Sequence, residues 1–162
     1  GSEMCIRDRD RGVVLKHNGN RTKKLNYNFV NEPDLAQTFV VTCVLLNIPF
    51  RFTGLQSLKI KETDRIEALK TELRKLGYLL ADRGDSILEW NGERCEPQAH
   101  PVIATYEDHR MAMAFAPAAL VLPEGIEIAD PQVVSKSYPH YWRDLRTAGF
   151  IIIDNEQLAI DN

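Results

Sequence analysis

The segment Lys59-Ile60-Lys61-Glu62-Thr63-Asp64-Arg65 sets three cations and two carboxylates at the mouth of a helix. A helix start already carries unpaired N–H groups and partial positive charge. Cations placed there oppose the dipole unless an anion joins them, which makes phosphate or carboxylate the natural ligand. Three further places repeat the theme. Asp34 follows Asn31-Glu32-Pro33, Asp108-His109-Arg110 opens a second apolar run, and Lys136 precedes Ser137-Tyr138-Pro139. Arginine suits bidentate binding of oxyanions and lysine acts as a point charge. Carboxylates beside them can serve as base or acid. Taken singly, each of these is an ordinary cap or solvated charge. Their recurrence at corresponding helix starts favours the functional reading.

The elements that position them alternate between strand and helix. Residues 13–17 and 25–30 read as extended. A helix start at Asn31 to Asp34, with an asparagine cap and an early proline, leads a helix to Leu46. That helix is apolar on nearly every side and therefore buried. Phe50 to Thr53 alternates as a strand. Ile66, Leu69, Leu73 and Leu76 recur at helical spacing, with Asp64 and Glu67 as the capping pair and Gly77 as terminator. Tyr78 to Trp90 reads as a hairpin around Asp82-Arg83-Gly84-Asp85. The pattern then restarts with a strand at Val102 to Ala104 and an apolar helix from Tyr106 to Leu120, kinked at Pro117. A strand follows at Ile126 to Ile128. A last amphipathic helix starts at Lys136 and ends at Gly149, and Phe150 to Ile153 forms a closing strand. Leu73-Gly77-Tyr78 and Leu145-Gly149-Phe150 end the two halves alike. This is an internal repeat of two βαβαββ-like units, and the class is α/β or α+β.

Composition excludes several functions. The 162 residues carry a net charge of −3, against a nucleic-acid binder held by bulk charge. No apolar run reaches about 18 residues, so no membrane span is expected. Cys5, Cys43 and Cys95 have no metal or redox spacing, which fits reduced thiols in a cytoplasmic protein, with Cys43 in the core. No metal site is expected. Residues 1–11 lack periodicity and read as an expression scar or leader, leaving 12–162 as the folded portion. His17, His100 and His140 receive no functional role.

Taken together, KETDR, YEDHRMAM and DP-(four residues)-KSYP resemble the C-terminal half of the 5-enolpyruvylshikimate-3-phosphate synthase family, in order from Val13 to Phe150. The resemblance implies a two-domain fold, each domain built of three βαβαββ units, of which this chain holds about two units of the C-terminal domain. It implies transfer of enolpyruvyl from phosphoenolpyruvate to the 5-hydroxyl of shikimate 3-phosphate in aromatic amino acid biosynthesis, without cofactor. The enzyme of that family is the target of glyphosate. By the same resemblance Asp34 matches the general base that touches the shikimate hydroxyl. Lys61 matches a lysine at the reacting centre, and Glu62 a proton-transfer glutamate. Arg65, Arg110 and Lys136 match the phosphoenolpyruvate cations, and His109 a supporting histidine. Ser57 stands where many members carry a phosphoshikimate-binding asparagine.

The expected partners are those two substrates and the family's N-terminal domain, which supplies the shikimate phosphate pocket. Without that domain the chain is expected to be inactive. The full-length enzyme is expected to be a monomer, and the fragment can self-associate through a face that the rest would cover. Two rival readings stand beside this one. One is a non-catalytic anion-binding or self-associating module. The other is the sister enolpyruvyl transferase that acts on a UDP-sugar.

Overall fold

Strand β3 (Leu25–Asn28) and strand β4 (Phe50–Thr53) pair in parallel, and helix α1 (Ala36–Leu45) makes the crossover that parallel pairing demands. The computed structural model describes residues 7–9, 12–14, 19, 22–59, 64–84 and 86–153. The chain divides into two units, Gly1–Ala99 and His100–Asn162. Ahead of β3, β1 (Arg7–Arg9) and β2 (Gly12–Val14) pair antiparallel, so part of the segment read from sequence as a leader is strand.

After β4 the first unit continues through α2 (Arg65–Lys75), β5 (Ala81–Arg83) and β6 (Ile87–Trp90). The sheet order is β3-β4-β6-β5, with β6 antiparallel to both of its neighbours. The hairpin read at Tyr78 to Trp90 is present, and the unit's sheet and helices follow in the order β3-α1-β4-α2-β5-β6, a mixed α/β arrangement. Alternation places Phe50 and Phe52 wholly inside and Arg51 and Thr53 on the outer face. Phe29 meets Phe52 edge-on at 4.9 Å, and Leu55, Leu58, Ile66, Leu69, Leu73, Leu88 and Trp90 complete the core. Each such side chain contributes about 1.5–3 kcal/mol on burial. Cys43 is in this core as expected, and burial pushes its thiol up to about 11.

Two expectations about α1 are corrected. Asn31 does not cap it: a 3-10 turn at Pro33–Leu35 leads in, its capping position is Glu32, and no side chain makes the capping bond. Backbone closes the turn instead, Leu35 N–H donating to the Glu32 carbonyl at 3.1 Å. Nor is α1 buried all round. Ala36, Val40, Val41, Cys43 and Val44 face inward, while Leu35, Phe39 and Leu46 form an exposed stripe at steps of about one and two turns. A single sheet face covers only one side of a helix.

The second unit opens with β7 (Val102–Ile103), parallel to β8 (Glu127–Ile128) across α3 (His109–Phe115). α3 is shorter than expected. Its apolar run passes at Ala116 into a 3-10 turn, Ala116–Leu120, because Pro117 has no N–H to continue the α-helical ladder. α4 (Tyr141–Thr147) begins later than expected, after a 3-10 turn at Pro131–Lys136. Pro139 removes a donor and biases Tyr138 away from helical geometry, which delays the start. Ala112, Ala116, Val134 and Tyr141 form the unit's core, with Trp142 and Leu145 packed against it. Phe150 to Ile153 carries no strand; Ile151 and Ile153 are exposed.

The repeated helix ending is realised in both units. After α2, Gly77 N–H donates to the Arg74 carbonyl and Tyr78 N–H to that of Leu73, each at 3.0 Å. After α4, Gly149 donates to Arg146 and Phe150 to Leu145, also at 3.0 Å. Both glycines have positive φ, 90° and 101°. These are two Schellman caps, and they explain the shared Leu-(three residues)-Gly-aromatic pattern.

Candidate functional site

Arg65 is the first residue of α2, and its side chain is only 4% exposed. Asp64 caps this helix as read from sequence. Its carboxylate accepts from Ile66 N–H at 3.1 Å and Glu67 N–H at 3.2 Å. Glu67 does not complete a capping box; its carboxylate takes a 2.6 Å bond from Lys70. Lys70 also donates to Asp82 at 2.6 Å. Burial depresses the Lys70 ammonium, and these two bonds outweigh it and raise it.

Across from Arg65 stands Asp34, on the 3-10 turn ahead of α1. Its Oδ1 lies 3.6 Å from Arg65 Nη1, and its side chain is 49% exposed. The structure thus joins two sequence-predicted residues from separate elements: a buried guanidinium and a half-exposed carboxylate. Ser57 is partly buried in a 3-10 turn at Gln56–Lys59, held by Leu58 N–H donating to Leu55 O at 2.9 Å. Lys61 and Glu62 lie outside the described residues.

In the second unit His109 and Arg110 are the first two residues of α3, both partly buried. Buried Asp108 is the cap and accepts from Arg110 N–H at 2.9 Å. Its Oδ1 is 3.9 Å from His109 Nδ1. The turn before it is unusual. Asp108 N–H donates to the carbonyl of fully buried Thr105 at 2.8 Å. The two central residues, Tyr106 and Glu107, have φ of 53° and 56°. A turn with two left-handed central positions ordinarily takes Asn and Gly. Side chains kept there against the backbone preference mark a constrained segment beside His109 and Arg110. Nothing in the residue types announces this turn, and the sequence reading missed it.

Lys136 is placed differently from expectation. It ends the Pro131–Lys136 turn, exposed, rather than preceding a helical first turn. Among the described residues no cluster of three histidine, cysteine or acidic side chains could hold a metal ion, and no helix is long and apolar enough to cross a membrane.

A family model for EPSP synthase (3-phosphoshikimate 1-carboxyvinyltransferase) matches residues 3–145. The chain belongs to the EPSP synthase family. The match includes every predicted site residue and begins within the segment read as a leader. A 3-phosphoshikimate 1-carboxyvinyltransferase of Bacteroides fragilis strain YCH46 is 70% identical over 146 residues, which cover 90% of this chain and 35% of that protein. Proteins of the same name from Rhizobium etli strain CIAT 652 and Laribacter hongkongensis are 40% and 42% identical, over 72% and 68% of this chain and 28% and 25% of their own length. The chain therefore spans about a third of the length of the curated family members it matches.

Proposed function

We propose that the protein to which this chain belongs transfers the enolpyruvyl group of phosphoenolpyruvate to the 5-hydroxyl of shikimate 3-phosphate. The hydroxyl oxygen adds to the enol carbon, a proton adds to the methylene, and phosphate leaves as a proton returns from the methyl group. The chain would contribute about two of the three βαβαββ units of a C-terminal domain, in a cytoplasmic enzyme that needs no cofactor. The observation that carries this reading is the buried Arg65 beside Asp34 at the start of α2, in a chain of this family. A fixed guanidinium suits a phosphorylated carboxylate, and a nearby carboxylate suits the removal of a hydroxyl proton.

In this proposal Arg65, Arg110 and Lys136 hold phosphoenolpyruvate and His109 supports them. Asp34 is the base toward shikimate, Lys61 and Glu62 serve proton transfer and charge at the reacting carbon, and Ser57 contacts phosphoshikimate. The name shared by the three family members described above favours phosphoshikimate over a UDP-sugar as acceptor. The test is phosphate release from the two substrates by this chain, alone and mixed with the portion of the Bacteroides fragilis protein that it does not span. Silence alone with turnover on mixing supports the proposal. Turnover by the chain alone overturns the claim that it is inactive by itself, and turnover of the UDP-sugar in its place overturns the acceptor.

One observation favours a self-associating module as a second reading. The α1 stripe of Leu35, Phe39 and Leu46 is exposed apolar surface at helical spacing. Size exclusion with light scattering decides: a monomer at micromolar concentration removes it.

A further inference from the structure

The turn that follows β6 is set up for a reaction on its own backbone. Asn91-Gly92 is one of two Asn-Gly pairs in the sequence; in the other, Asn18-Gly19, the asparagine lies outside the described residues. An asparagine before glycine is open to attack on its side-chain carbonyl by the next backbone nitrogen, because glycine has no Cβ to block the approach and the freest backbone. The surroundings of Asn91 favour that attack. Asn91 and Gly92 are both exposed, and the Gly92 N–H makes no hydrogen bond among the described residues. A Cβ placed on Gly92 would meet nothing within 4 Å. The Lys24 ammonium donates to Asn91 Oδ1 at 3.0 Å. A cation on that oxygen draws electrons from the amide carbon and stabilises the oxyanion formed when a nitrogen adds to it. The turn is also held on either side of Gly92. Asn91 N–H donates to Glu93 Oε2 at 2.9 Å. The Glu93 carbonyl accepts from the Trp90 indole N–H at 2.8 Å and from Leu79 N–H at 3.1 Å.

We infer that Asn91-Gly92 is a self-modification site at which the folded protein deamidates. The Gly92 nitrogen adds to Asn91 Cγ and gives up its proton. The side-chain nitrogen leaves as ammonia, carrying that proton, and a cyclic imide remains. Water then opens the imide at either carbonyl and yields aspartate or isoaspartate. Both products set a carboxylate beside Lys24 where a neutral amide stood. Isoaspartate also inserts a carbon into the main chain between Trp90 and Glu93, which loosens the turn. Asn26, Asn28, Asn31 and Asn47 precede Tyr, Phe, Glu and Ile, whose side chains crowd the attacking nitrogen.

The test stores the purified chain at neutral and at mildly alkaline pH and maps its peptides by mass spectrometry. Labelling by isoaspartyl methyltransferase tells isoaspartate from aspartate. The expected result is a mixture of the two acids at position 91, formed faster at the higher pH and faster than acid at Asn26, Asn28, Asn31 or Asn47. Lys24→Met is expected to slow the conversion about two- to fivefold, the reach of one exposed charged hydrogen bond. Asn91→Gln is expected to abolish the isoaspartate label on that peptide. An Asn91 that stays intact, even where Asn18 converts, overturns the inference. So does aspartate without isoaspartate, which marks direct hydrolysis, or conversion in Lys24→Met as fast as in the wild type. None of these results decides the synthase reading, which turnover in the complemented enzyme decides separately.

Discussion

Gly77→Ala should cost more than Gly149→Ala, although the two glycines occupy the same position in the same motif. Both lie at positive φ, 90° and 101°, where an alanine is strained by about 1–2 kcal/mol. Loss of glycine's freedom in the unfolded chain returns roughly 0.4–1 kcal/mol of that. This common term leaves about 1 kcal/mol at each site. The surroundings then separate them. A Cβ on Gly149 meets nothing within 4 Å, whereas a Cβ on Gly77 stands 3.0 Å from the carbonyl oxygen of Cys95. That oxygen is backbone and cannot swing aside. The Gly77 carbonyl itself accepts from Cys95 N–H at 3.0 Å, beside the Tyr78–Arg94 bridge. The clash therefore strains the link between the end of α2 and the segment that follows β6, adding on the order of 1 kcal/mol. Each unit has its own reporter. Trp90 is buried in the first, its indole N–H donating to Glu93 O at 2.8 Å, and Trp142 packs against the second core. Urea unfolding of the single-tryptophan variants Trp90→Phe and Trp142→Phe reads the units separately. The expected losses are about 2 kcal/mol for Gly77→Ala in the first unit and about 1 kcal/mol for Gly149→Ala in the second. Equal losses, or a larger one at Gly149, would refute the assignment of the difference to the Cys95 carbonyl.

Three other outcomes follow from the same geometry. Asp64→Ala removes an acceptor that satisfies two amide groups and should destabilise the first unit by about 1 kcal/mol in urea titration, with Asp64→Ser recovering most of it. Glu107→Gly should raise the melting temperature of the second unit, because glycine relieves a left-handed residue at φ 56°, while Glu107→Val should lower it. Glu89 is held below its ordinary value of 4.5 by the hydrogen bond from Arg83, against opposing burial and with a further bond from Arg51. A depressed carboxylate adds stability that is complete above its unfolded value and is lost as the pH falls through the folded one. Stability should therefore decline below about pH 4, and Glu89→Gln should flatten that acid limb in melts from pH 3 to 7.

Periodicity was enough to place α2, β4 and the β5–β6 hairpin, since each is half-buried and alternates or repeats against a solvated face. Chain ends of elements were harder. Phe150 to Ile153 has strand composition, but among the described residues no strand pairs with it, and β-propensity without a partner makes no sheet. The loops at Tyr106-Glu107 were illegible for the opposite reason: side-chain type there contradicts backbone conformation.

The burial of Arg65 was legible, and the apolar count on α2 missed it because it scored only hydrophobic residues. Positions 65, 69, 72 and 76 follow one another at helical spacing, so Arg65 and Glu72 lie in register with Leu69 and Leu76. The structure buries both charges, Glu72 completely and paired with Lys75 at 2.7 Å. An arginine buried in register with an apolar stripe must be met by a counter-charge or a ligand, since desolvating a lone cation is costly. Asp34, with Oδ1 at 3.6 Å from Arg65 Nη1, is one such counter-charge. The register of Arg65 with Leu69, more than the density of charges around it, sets this helix start apart from an ordinary solvated one.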